Sequence, residues 1–308
     1  MNAVARALKD NLALVMRGKD QLLEYILVAL FSNGHVLLED VPGVGKTTLA
    51  KALSRSIQAE YHRIQFTPDL LPTDITGGMI YSPHSGEFNY RPGPVFCNVL
   101  LGDEINRASP RTQSALLEAM SEYQVTIEGE RRMLPKPFFV LATQNPIEYH
   151  GTYPLPEAQL DRFAMRLEIG YPDAEAEIHI VEDQRDGHPL EALQPVATTQ
   201  DILDIQQAVR NVTVEATVVR YITEVIRATR AEPRLQLGAS PRAALLLYRA
   251  CQALAFVRGR DFVVPDDVQE LAPHVVSHRL VLDTKASYSG TTKRDVVLDL
   301  LKTVQVPV

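Results

Sequence analysis

Residues His35–Thr48 read HVLLEDVPGVGKTT: a short apolar run, then a Pro/Gly-rich turn that closes on Lys46-Thr47. The apolar spacing that follows (Leu49, Ala50, Ala52, Leu53) is that of a helix. A strand, a glycine turn and a helix in immediate succession constrain this chain more than any other stretch. The turn must open its N–H groups at the start of the helix, where the helix dipole adds partial positive charge and Lys46 a full one. Thr47 places a hydroxyl beside them. Such a cradle suits a polyphosphate with a Mg²⁺ ion, so the expected phosphate-binding set is Pro42, Gly43, Val44, Gly45, Lys46, Thr47 and Thr48. One letter departs from G-x-x-x-x-G-K-[ST]: Asp40 stands at the first glycine. Asp enters left-handed conformations at little cost, so the loop can still close. Its carboxylate is expected to repel phosphate and weaken resting affinity.

Two amphipathic helices precede this unit, one carrying Val4, Leu8, Leu12 and Val15 and the next running from Leu22 to Leu30, with Asn33-Gly34 as its stop. Downstream, Tyr61–Phe66, Val95–Asp103, Phe138–Ala142 and Ala164–Ile169 read as strands, and Ser109-Pro110 supplies a cap and first-turn proline for a helix. Strands alternating with helices predict an α/β fold with a parallel sheet covered on both faces. Two stretches interrupt the alternation. Residues 67–94 are rich in Pro and Gly and read as a functional loop or inserted hairpin, and Gln124–Leu134 reads as a protruding hairpin. Asp173 can cap a helix ending near Asp186-Gly187. Beyond Pro172 the composition shifts, and helical spacing dominates from Ile202 to His278; Arg279–Val308 fits short strands or a last helix. The expected division is an α/β core over 1–187, a linker over 188–199 and a helical domain over 200–308.

A chain of 308 residues, 45% of them hydrophobic, can bury a sizeable core. Its net charge of −7 argues against general affinity for nucleic acid or anionic membrane. The longest apolar stretch, Leu22–Phe31, is broken by Glu24 and too short to span a bilayer. Cys97 and Cys251 lie far apart without metal spacing and read as buried reduced thiols, so the expected compartment is the cytoplasm. The eight His residues show no metal-ligand spacing either.

Asp103-Glu104 closes the apolar run NVLLGDE. A buried strand that delivers two adjacent carboxylates to a sheet edge is the second half of a nucleotide site: the first acid to hold Mg²⁺ through water, the second to polarise the attacking water. With these residues in view, the chain resembles the MoxR family of AAA+ ATPases. The matching runs are EDVPGVGKT at Glu39–Thr47, LPTDITGGM at Leu71–Met79, LLGDEINRASPRTQSALLEAM at Leu100–Met120, ATQNPIE at Ala142–Glu148, GTYPLPEAQLDRF at Gly151–Phe163 and GASPRA at Gly238–Ala243. They span nearly the whole chain.

The resemblance implies an AAA+ core with a C-terminal helical lid, ATP and Mg²⁺ as ligands, and a ring homo-oligomer, expected to be a hexamer. It implies Asn145 as the sensor that holds the attacking water and Arg162 as a finger acting on a neighbouring subunit's nucleotide, with Arg166 as the rival four positions on. Arg242 resembles a second sensor that reaches from lid to phosphate and sets the lid angle, and Arg107 a further interface sensor. Val15–Lys19 and the helical domain are implied to enclose adenine. The implied partner is a separate protein with a von Willebrand factor A domain, and the implied work is remodelling or maturing a client protein. Segments 67–94 and 124–134 are the expected contact surfaces.

The alternative is a nucleic-acid motor. Arg131, Arg132 and Lys136 give the second hairpin some positive charge, but zero Trp and net acidity oppose it. A binding switch without turnover is opposed by the full complement of Lys46, Thr47, Asp103, Glu104, Asn145 and Arg162.

Overall fold

The computed structural model describes residues 2–84, 86–145, 152–183, 185 and 187–307. Residues 146–148 of the Ala142–Glu148 run, Gly151 and the expected helix end at Asp186 fall outside them. Helices α1 (Ala3–Ala13) and α2 (Asp20–Phe31) lead into strand β1 (Val36–Glu39) and helix α3 (Lys46–Ser56). Then come β2 (Tyr61–Gln65), α4 (Pro72–Thr76), the hairpin β3 (Gly77–Ser82) and β4 (Glu87–Pro92), β5 (Val99–Asp103) and α5 (Pro110–Glu122). A second hairpin, β6 (Gln124–Ile127) and β7 (Glu130–Met133), precedes β8 (Phe139–Gln144), α6 (Glu157–Leu160), β9 (Met165–Leu167), α7 (Ala174–Glu182) and α8 (Pro189–Ala192). The C-terminal part holds α9 (Thr199–Val209), α10 (Ala216–Ala231), β10 (Leu235–Leu237), α11 (Pro241–Val257), α12 (Pro265–Val276), β11 (Val281–Leu282), α13 (Thr284–Tyr288) and α14 (Lys293–Thr303).

Among the described residues, the central sheet has five parallel strands in the order β2-β5-β8-β1-β9. The near-continuous apolar sequences of β1, β5 and β8 follow from burial on both faces. Val36 and Leu38 of β1 enter the core shared with α1–α3, while Leu37 enters the core beneath α5. Leu100 and Leu101 of β5, and Val140 and Leu141 of β8, divide the same way. The register is the important product. It places Gln65 beside Asp103, Gly102 beside Ala142, and Glu39 beside Gln144, so the polar ends of adjacent strands meet at one sheet edge.

Two strands are shorter than the sequence suggests. β5 begins at Val99 because the preceding residues are held in a turn, with Asn98 bonding the main chain of Glu60 and Pro137 through its side chain. β9 stops at Leu167, and the Ile169 N–H goes to the Asp40 carboxylate instead of a strand neighbour.

Segment 67–94 contains α4 and the β3–β4 hairpin. Gly77 opens the hairpin at φ +85, where a Cβ would collide with the Arg91 carbonyl, so only glycine fits. Tyr81 and Phe88 pair across the hairpin at 5.3 Å between ring centroids, both exposed along with Met79 and Ile80. The two hairpins touch: the Arg132 guanidinium of β7 lies 4.0 Å above the Tyr90 ring of β4.

The helical C-terminal part does not hang from a free tether. One apolar core runs from Leu8 and Ile26 of α1 and α2 through Leu247 and Leu254 of α11 to Leu271 of α12. Arg258 at the end of α11 bonds Glu24 of α2 at 3.0 Å and Glu270 of α12 at 2.6 Å. Within 188–199, the Val196 and Ala197 N–H groups donate to the Ser56 carbonyl. The ambiguous end, 279–308, resolves into β11, paired antiparallel with β10, and two helices. Among the described residues no helix is long and apolar enough to cross a membrane.

Candidate nucleotide site

The loop after β1 turns through Gly43 and Gly45, at φ +89 and +97, and Gly45 caps α3. Left-handed glycines here aim successive N–H groups into one concavity, which is what an anion needs. Pro42, Gly43, Gly45, Lys46, Thr47 and Thr48 line a cavity of about 430 Å³. Its far wall is Asp103, Glu104 and Asn145, with Arg63 and Gln65 from β2. The sequence-derived set is thus assembled from the C-terminal ends of β1, β5 and β8. Val44 faces the neighbouring cavity instead.

The Lys46 ammonium donates to the Asp40 carbonyl at 2.6 Å. Burial holds its pKa below the usual lysine value, opposed by the carboxylates of Asp40, Asp103 and Glu104. Asp103 accepts from the Thr143 hydroxyl at 2.6 Å and from Arg63 at 2.6 Å. Glu104 adopts the left-handed conformation (φ +57), uncommon for a non-glycine residue and typical of a residue aimed at a site. Its N–H donates to Thr143 at 2.8 Å, and its carboxylate accepts from Gln65 at 2.8 Å and Arg107 at 2.9 Å. Asn145 is 6% exposed on the cavity wall. The expected interface role for Arg107 meets a residue turned toward its own chain's Glu104.

The donor set fits Mg²⁺. No group of three or more His, Cys, Asp or Glu among the described residues forms an all-protein cage. Mg²⁺ needs none, because it is held by one or two protein oxygens plus phosphates and water. Thr47 and Asp103, both on the cavity wall, carry the oxygens that would serve.

A second cavity of about 410 Å³ adjoins the first, sharing Gly43, Gly45 and Thr48. Val15, Met16, Arg17 and Lys19 line one side of it. The opposite wall is corrected: it comes from Ile169–Pro172, α7 and Pro189, with no lining residue from 200–308 among the described residues.

Asp40 does not face the phosphates. Its side chain is 7% exposed and its carboxylate accepts from the Ile169 and Gly170 N–H groups, the latter at 3.0 Å. The expected repulsion gives way to an anchor that ties the phosphate loop to the end of β9.

The three arginines part company. Arg166 lies on β9 and pairs with Glu39 at 3.0 Å and Glu168 at 3.5 Å, so its charge is spent within the chain. Arg162 donates to the Leu117 carbonyl at 2.5 Å. Its neighbour Asp161 accepts from the buried Arg279 at 2.8 Å and from Ser240, the cap of α11. Burial pushes the Arg279 pKa down to about 10, against the pull of Asp161, so it is still a cation at neutral pH. This clamp places the start of α11, and Arg242 with it, near His35 and Tyr123, which feel its charge. His35 precedes β1, whereas the phosphate loop follows it, a strand length of about 13 Å away. Arg162 and Arg242 therefore lie toward the sheet edge opposite their own chain's phosphate loop.

Sequence reasoning missed Arg63, Gln65 and Thr143. In YHRIQF the polar letters alternate, which signals only an exposed strand face; that this face meets Asp103 depends on pairing register.

A parallel sheet in this order, with a phosphate loop after β1, an acidic pair closing β5 and a helical C-terminal part, defines the AAA class of P-loop ATPases. The model of the ATPase family associated with various cellular activities (AAA) matches residues 35–165, and that of the AAA lid domain matches residues 227–300. The chain is 46% identical to Chaperone MoxR1 of Mycobacterium tuberculosis, over 95% of this chain and 80% of that protein. It is 33% identical to Protein MoxR of Methylorubrum extorquens, over 98% of this chain and 94% of that one. A crystal structure of a candidate ATPase from Cytophaga hutchinsonii superposes with a TM-score of 0.91 at 39% identity, covering 99% of this chain and 95% of that chain. The chain belongs to the MoxR family of AAA+ ATPases.

Proposed function

We propose that this protein hydrolyses ATP to ADP and phosphate in the cytoplasm and couples turnover to remodelling or maturing a partner or client protein. The observation that carries the reading is the convergence of Lys46, Thr47, Asp103, Glu104 and Asn145 on one phosphate-sized cavity. Lys46 and the loop N–H groups hold the phosphates, and Thr47 and Asp103 hold Mg²⁺. Mg²⁺, when bound, offsets phosphate charge as the bond to the leaving group breaks. Glu104 takes a proton from the attacking water, and Asn145 orients that water. The second cavity, apolar on most of its wall, takes the base.

Arg162 and Arg242, on the edge away from their own loop, act on the nucleotide of a neighbouring copy. That arrangement supports a ring, with six copies as the working number. An arginine finger is worth roughly 10³–10⁵ in rate where present. The exposed β3–β4 and β6–β7 hairpins are the surfaces offered to a client or to a von Willebrand factor A domain protein, and no observation favours nucleic acid over them.

The test is Glu104→Gln. It should bind ATP with wild-type affinity and lose turnover, and it should then retain client and partner in a pull-down under ATP. Normal hydrolysis by this variant would overturn the assignment of the base.

A further inference from the structure

Both acidic residues of the site are held from β2, an edge strand whose side chains at 63 and 65 point to the same face. Arg63 Nη2 donates to Asp103 Oδ2 at 2.6 Å and to Gln65 Oε1 at 2.8 Å. The other Asp103 oxygen, Oδ1, is taken by Thr143. Asp103 therefore has a resident counter-cation on the oxygen left for Mg²⁺, and that guanidinium lines the same cavity as Lys46 and Thr47. Two cations cannot share one carboxylate oxygen at contact distance without repulsion. The neutral partner Gln65 holds Arg63 in place without competing for its charge.

We propose that Arg63 sets how strongly the site discriminates between metal-free and Mg²⁺-bound nucleotide. The inference rests on the ATP·Mg²⁺ reading above. While Mg²⁺ is absent, Arg63 neutralises Asp103 and adds positive charge to the phosphate cavity beside Lys46. Mg²⁺ held by Asp103 would compete with the guanidinium for that carboxylate, and Arg63 would have to give up part of its hold on Asp103. Part of the affinity for the Mg²⁺ form is spent on that exchange. Arg63 thus narrows the gap between the two ligand forms.

The pair is partly open to solvent, with side chains 46% and 17% exposed, which limits the effect to about fivefold in each binding constant. The experiment titrates ADP, which cannot turn over, into the wild-type chain and the Arg63→Gln and Arg63→Lys variants, in EDTA and in excess Mg²⁺. Arg63→Gln should bind Mg·ADP about fivefold more tightly and metal-free ADP more weakly; Arg63→Lys should stay close to wild type. In an Asp103→Asn background, Arg63→Gln should no longer tighten Mg·ADP. Mg·ADP binding by Arg63→Gln that is unchanged or weaker overturns the inference, whatever the EDTA arm shows. If the wild-type chain binds ADP under neither condition, it is the nucleotide reading that fails.

Discussion

Replacing Asp40 by glycine restores the usual first letter of the phosphate loop, yet it should harm the protein. The carboxylate is 7% exposed and accepts from two main-chain N–H groups, Ile169 and Gly170. Hydrogen bonds to a charged group are worth about 1.5–3 kcal/mol each, and the substitution leaves both N–H donors without their protein partner. A flexible glycine adds about 0.5–1 kcal/mol of chain entropy. Allowing for partial relaxation, the loss is about 4 kcal/mol, or about 6 °C in Tm for a chain of this length. Ile169 and Gly170 also wall the second cavity, proposed above to take the base, so nucleotide affinity should fall rather than rise. Thermal unfolding followed by circular dichroism, with ATP titration under non-hydrolysing conditions, measures both. An unchanged Tm together with tighter ATP binding would refute the anchor and restore the picture of a phosphate-repelling carboxylate.

Three further outcomes follow from the same geometry. His35 is fully buried, accepts from the Val140 N–H at Nδ1 and faces the Met120 carbonyl with Nε2, and burial lowers its pKa from 6.5 to about 4. The unfolded chain therefore binds the proton more readily, so this stability is present above about pH 6.5 and lost as pH falls toward 4, by about 3 kcal/mol. Urea unfolding across that range should show a shallower acid loss for His35→Gln than for wild type; identical slopes would contradict it. Arg162→Ala and Glu104→Gln subunits, each inactive alone, should regain partial ATPase activity when mixed, because each lacks what the other supplies. No recovery in mixed rings of demonstrated composition would remove Arg162 from its role across the interface. Arg260→Ala should cost about 1–3 kcal/mol in chemical denaturation, because it removes the two bonds at 2.6 and 2.8 Å to the buried Asp267 and leaves that carboxylate only the Val264 N–H at 3.0 Å and Arg258 at 4.0 Å. A loss under 1 kcal/mol would show that Asp267 finds another partner.

Much of this was readable before the fold. The phosphate loop and the acidic pair are local signals, a glycine turn and a strand that ends in carboxylates, whereas Asn145 is singled out only by the family resemblance. What escaped reading was lateral. Gln65 meets Glu104 because β2 pairs with β5 in one register, and nothing in YHRIQF encodes that register. Asp40 was misread because its partners, the N–H groups of Ile169 and Gly170, carry no side-chain signature. The surroundings of Arg242 were hidden for a similar reason: the Ser240–Asp161 bond that fixes where α11 starts joins residues 79 apart.

The contact between Arg132 and Tyr90 has a consequence for any protein that seats on the inserted hairpins. Two-stranded hairpins are marginal on their own, so each draws order from its surroundings. A partly exposed guanidinium over a tyrosine ring is worth about 1 kcal/mol. Through that contact, an occupant of one hairpin changes affinity at the other by about fivefold at most, and by thermodynamic reciprocity equally in both directions. The two inserts are geared loosely. An occupant of either hairpin would bias the other without dictating its state.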